Sequence, residues 1–155
     1  PYIDLYKEAG KKAGHSQEKL KVGIHALGYV GEDSEQSKNL LPSDEKALLD
    51  RCSGEVMLFR LKGPLSFGAA KGISERMMLV RNYKILILDI TDVPRLGVTA
   101  TLAIEDMMQE AKNNSRKAFV AGANEKVKER LTKFGVDGII KTRKEALEAA
   151  LNELA

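Results

Sequence analysis

Cysteine occurs once in the 155 residues, as Cys52, so no disulfide can form within the chain, and with no Cys or His at metal-site spacing the residue reads as a plain packed or half-exposed thiol. The two histidines, His15 and His25, have no cysteine or acidic cluster at ligand spacing, and no metal site is expected. No apolar run approaches the roughly 20 residues that cross a bilayer, and no charged-then-apolar leader opens the chain. A start at Pro1 without an initiator Met is compatible with a piece cut from a longer polypeptide, so a membrane span upstream stays open. Aromatic residues are 5% of the chain, and Phe119 and Phe134 look like core, which leaves little for stacking nucleic-acid bases. Gly63 and Gly68 have the spacing of a phosphate-binding loop, but Ala69 and Ala70 stand where its Lys and its Ser or Thr belong. No Gly-x-Ser-x-Gly elbow occurs, and neither histidine has a nucleophile setting. No enzyme activity and no cofactor are expected.

Hydrophobic residues at 43% and charged residues at 30% instead describe one folded domain of ordinary size. The net charge of +3 is unevenly placed. Residues 111–144 hold ten Lys or Arg against three acids. Such a basic field suits a phosphate-rich membrane face or an acidic partner, although solvated helix charges explain it as readily. The run Ile85-Leu86-Ile87-Leu88-Asp89-Ile90 is apolar without alternation, the pattern of a strand covered on both faces, and it is expected at the centre of a mostly parallel sheet. Asp89, Thr91, Asp92 and Pro94 end the run with turn chemistry, and Asp89 and Asp92 read as turn and cap residues. Small residues from Gly97 to Thr101 then open a helix running to about 111 or 112. Loops at this edge of an open α/β sheet are its usual working surface.

Elsewhere strand and helix alternate. Residues 1–20 read as a loose or short helical lead-in, 21–27 as a strand, and 28–41 as an acidic loop. Ser43 is expected to cap a helix over about 43–52, followed by a strand over 56–61 and an amphipathic helix over 67–80. A buried strand at 118–121 leads to a helix over 124–134 capped by Asn124 and stopped at Gly135. Residues 138–140 form a short edge strand, and Thr142 caps the last helix. The fold class is therefore α/β, an open sheet of about five mostly parallel strands with helices packed on it.

Several segments together resemble a STAS domain, the module shared by SulP-type anion transporters and bacterial anti-sigma-factor antagonists. Arg60-Leu61-Lys62-Gly63-Pro64-Leu65-Ser66-Phe67 is similar to the transporter branch's R-L-x-G-P-L-x-F. Ile85 to Val93 matches the family's strand, Asp, loop pattern. Gly122-Ala123-Asn124 through Gly135, and Thr142 to Leu147, resemble its later helices. The resemblance covers about residues 55–150, and it divides the chain into a lead-in over 1–54, with linker, first strand and short helix, and a STAS core over 55–155. Where the family usually reads Asp-Ser-Ser-Gly or Asp-x-Thr-Gly, this chain has Gly97-Val98-Thr99-Ala100. Val98 cannot accept the antagonists' phosphate, while Thr99 keeps a hydroxyl beside it, which favours the transporter branch.

The resemblance implies a cytoplasmic regulatory and dimerisation domain on the inner face of the plasma membrane. Its partners would be the membrane domain of the same polypeptide, a second copy, and a regulatory protein; no nucleic acid is expected. The transported anion would be bicarbonate, with sodium coupling in view, or else sulfate, and a free-standing antagonist stays open. The regulatory contact surface is expected at Asp92, Pro94, Arg95, Leu96, Gly97, Thr99 and Thr101.

Overall fold

A computed structural model describes residues 8–14, 38–63 and 82–155. Among the described residues the sheet contains four strands, β1 (Val56–Lys62), β2 (Ile85–Asp92), β3 (Lys117–Ala121) and β4 (Ile139–Ile140), in the spatial order β1-β2-β3-β4. All three pairings are parallel. Among the described residues, helices α1 (Ser43–Arg51), α2 (Val98–Asn113), α3 (Glu125–Lys133) and α4 (Arg143–Leu154) flank the sheet. Parallel neighbours need a crossover between them, and α2 and α3 supply those from β2 to β3 and from β3 to β4.

β2 lies between β1 and β3 with Ile85 to Ile90 all buried. Successive side chains of a strand point to opposite faces, and the two cores divide along that rule. Leu86, Leu88 and Ile90 join the core formed with Ile104 and Met107 of α2 and Val127 and Leu131 of α3. Ile85 and Ile87 face the other way, against Ala146, Leu147 and Ala150 of α4 and, beyond them, Cys52 with Leu48 and Leu49 of α1. Asp89 continues this second row, so the alternation aims its carboxylate toward α1 and α4.

The caps follow the sequence in two helices and depart from it in one. Asn124 accepts from the Val127 N–H, and Thr142 from the Glu145 N–H, satisfying donors that a helix start leaves free. Ser43, expected as a cap, is instead the first helical residue. Pro42 holds the cap position in extended geometry, its carbonyl accepting from Lys46 N–H, and no side chain caps α1. Proline's fixed φ and missing N–H end the extended approach there, which moves the boundary back by one residue. The strand expected over 21–27, the helix over 67–80 and both histidines lie outside the described residues.

Candidate functional site at the carboxyl edge of the sheet

Asp89 is fully buried and carries the densest set of polar contacts at this edge. Its Oδ1 accepts from the Thr91 backbone N–H at 3.0 Å and from the Thr91 hydroxyl at 2.6 Å. Its Oδ2 accepts from Arg143 at 2.7 Å. Arg143, the first residue of α4, also donates from Nε to Glu45 of α1 at 2.7 Å. Only 12% of either the Arg143 or the Glu45 side chain is exposed. Burial opposes the charge on the Arg143 guanidinium, but hydrogen bonds to Asp89 and Glu45 together outweigh it and raise its pKa above the ordinary value. A charge taken out of water survives only when paired in this way.

A second cation approaches from β1. Arg60 stands opposite Asp89 in the strand pairing, and the register then shifts so that Lys62 stands opposite Asp92. Arg60 donates to Asp92 at 2.9 Å, while its Nε, 3.7 Å from Asp89, is buried and makes no hydrogen bond. Irregular pairing of this kind re-aims side chains where a strand ends. The sequence marks Asp89 and Asp92 as turn and cap residues, and Asp89 does accept the N–H two positions on, that of Thr91. Asp89 is in addition the buried anchor of an ion-pair cluster, because the pleat places it inside, whereas Asp92 is the exposed end of the strand.

The loop that follows is held from below. Val93 and Leu96 are buried. Asn124 Nδ2 lies 3.4 Å from the Val93 carbonyl and 3.3 Å from that of Pro94, and Arg130 donates to the Leu96 carbonyl. Thus α3 holds the β2–α2 loop in place. Pro94, Arg95, Gly97 and Thr99 are exposed, and Gly97 takes the cap position of α2 with no side chain capping it. Thr101 is buried, and its hydroxyl donates to the Gly97 carbonyl at 2.9 Å. The sequence-predicted residues therefore form one contiguous segment in two tiers. Asp92, Pro94, Arg95, Gly97 and Thr99 face outward, and Leu96 and Thr101 secure them. Val98 and Leu102, one helical turn apart, add an exposed apolar pair.

Sequence reading missed Glu45, Arg60, Asp89 and Arg143 as a cluster. The available signal was an acid inside an apolar strand, a placement that needs a cation nearby. No group of three or more His, Cys, Asp or Glu suited to a metal occurs among the described residues. None of their helices is long and apolar enough to cross a membrane. With a parallel sheet, helices on both faces and a polar cluster at the strands' carboxyl edge, the architecture is that of an α/β domain presenting a loop surface. Residues 48–149 match the family model of the STAS domain, and the chain belongs to that family.

The chain matches a part of two transporters. It is 41% identical over 97 residues to the bicarbonate transporter BicA of a Synechocystis strain, and 37% identical over 117 residues to BicA of a Picosynechococcus strain. These alignments take in 63% and 72% of this chain but only 17% and 21% of those proteins. The STAS domain of a SulP transporter from Vibrio cholerae superimposes with a TM-score of 0.63 at 27% identity, over 73% of this chain and 98% of that one.

Proposed function

We propose that this chain is the cytoplasmic regulatory and assembly domain of a SulP-type bicarbonate transporter coupled to sodium, acting as a dimer on the inner face of the plasma membrane. The observation that carries the reading is the similarity to two BicA proteins, confined to the part of each that corresponds to this domain. A compact domain of this kind moves no ions itself. It biases the membrane part only through contacts whose free energy differs between transport states. The outward tier of the β2–α2 segment, Asp92, Pro94, Arg95, Gly97 and Thr99, is the surface offered for those contacts, with Leu96 and Thr101 fixing its shape. Thr99 is exposed in the first turn of α2, where backbone N–H groups would favour a phosphate if a kinase added one.

Uptake of labelled bicarbonate and sulfate, with and without sodium, by cells expressing the full reading frame that encodes this chain tests the assignment. Sodium-dependent bicarbonate uptake is expected. Sulfate uptake alone would transfer the domain to a sulfate transporter, and no uptake of either would remove the transporter reading.

A further inference from the structure

We propose that α1 is a releasable latch whose docking on α4 sets the conformation of the β2–α2 loop, through the Arg143 guanidinium that Glu45 and Asp89 share. α1 has no fully buried residue. Leu48 and Leu49 are only partly buried against the core, and two ion pairs add to its hold on α4. Glu45 accepts from Arg143, and Asp44 accepts from Lys144 at 2.8 Å. A short amphipathic helix held this way belongs to the low-stability end of a structure, the part that opens before the sheet does.

The same guanidinium reaches the end of the central strand. While α1 is docked, Arg143 divides its donors, Nε and Nη2 lying on Glu45 and Nη1 on Asp89. When α1 leaves, Glu45 leaves with it, and all the guanidinium's donors become available to Asp89. The Asp89 carboxylate can then turn toward Arg143, and its Oδ1 is what holds the Thr91 N–H and hydroxyl. Arg60 Nε, buried without a hydrogen bond beside Asp89, is a second donor waiting for the same carboxylate. If Arg60 moves to Asp89, it abandons Asp92, the first residue of the contact surface.

Thr91 in turn meets the β3–α3 turn. A Cβ placed on Gly122 would lie 2.0 Å from the Thr91 hydroxyl oxygen. Asn124, two residues on, lies against the loop's Val93 and Pro94 carbonyls. Two discrete arrangements of one guanidinium, and not a continuous deformation, would link α1 to the loop. The functional meaning of this device rests on the contact-surface reading above, whereas its test concerns the coupling alone.

Amide hydrogen exchange on the 155-residue chain measures that coupling, and Glu45→Gln is the first variant because it keeps shape and removes charge. Roughly tenfold faster exchange is expected in α1 together with faster exchange across residues 91–97, while β3 is unchanged. Asp44→Lys is the second variant. Both partners of that pair are about half exposed, so the core is untouched, and a smaller rise of roughly two- to threefold in the same two segments is expected. Adding Lys144→Asp restores the pair with reversed charges and should return both segments toward wild type. Faster exchange in α1 with residues 91–97 unmoved in both variants would overturn the coupling. No change in α1 in either variant would overturn the latch. Transport measurements play no part in the readout, so the latch and the proposed function can fail separately.

Discussion

At the scale of single residues, the consequences of burial are the most direct. Cys52 is 1% exposed, its thiol donating to the Leu48 carbonyl at 3.3 Å, and burial raises its pKa. The native thiol is therefore expected to react slowly with a thiol-exchange reagent at neutral pH and quickly once the chain unfolds, as timed absorbance would record. The sign of its linkage to stability follows. The folded thiol keeps its proton to higher pH than the unfolded one, so its contribution is complete below the ordinary value of 9.0 and is lost as pH rises through the folded value. Between those two values, the stability from denaturant melts should fall less steeply with pH for Cys52→Ala than for wild type. Gly122 is constrained from two sides, by a φ of +77° and by the close approach of Thr91. Gly122→Ala is expected to destabilise the fold by about 2–4 kcal/mol, measured by chemical denaturation. Its neighbour in the sequence motif, Asn124, was legible as a cap because an amide oxygen ahead of a helical run has an evident use. Its second contact, to the loop carbonyls, lies some 30 positions away in the chain, and no local pattern encodes it.

Between elements, the ion-pair cluster joins α1, α4, β1 and β2. Arg143→Met removes one partner of a buried carboxylate, and the expected loss is about 3 kcal/mol, toward the low end for such pairs because Arg60 remains nearby. Asp89→Asn in the same background should cost less than in wild type, since the unpaired charge is then gone; a double-mutant cycle by urea melts checks this. The two threonines of α2 separate by position. Thr101→Val strands no charge but forfeits the bond to the Gly97 carbonyl, and a loss of about 1 kcal/mol is expected. Thr99→Val, at an exposed position, should leave stability within about 0.5 kcal/mol of wild type. If Thr99 belongs to the contact surface, Thr99→Asp changes transport by the parent protein while thermal stability holds. Transport unaffected by substitutions from Asp92 to Thr101 would remove the segment from the functional account.

For the whole molecule, the distribution of charge sets the expectation about assembly. The basic stretch over 111–144 is followed by residues 145–155 with three acids and no Lys or Arg. Those charges of the two segments that are not paired within the chain can complement one another across a two-fold axis. Sedimentation velocity at low salt is expected to show concentration-dependent dimerisation that weakens as salt is added. A monomer at high protein concentration and low salt would count against the dimer.

Among the described residues, the sequence alone marks the elements from α1 onward and their order. Apolar runs without alternation mark strands covered on both faces, as β2 is, and three- and four-residue apolar spacing marks the helices, because those patterns express local geometry that any packing must respect. It also placed the β2–α2 segment at the sheet's carboxyl edge, since a strand that feeds a helix leaves its loop there. The partners of Asp89, by contrast, follow from how distant elements pack. Strand alternation turns its side chain to the α1 and α4 face, the pairing of β1 with β2 sets Arg60 opposite it, and the packing of α4 brings Arg143 from 54 positions away. A charge in an apolar strand announces that a counter-charge exists. Which residue supplies it depends on how separate elements dock, a matter of long-range geometry that residue spacing does not carry.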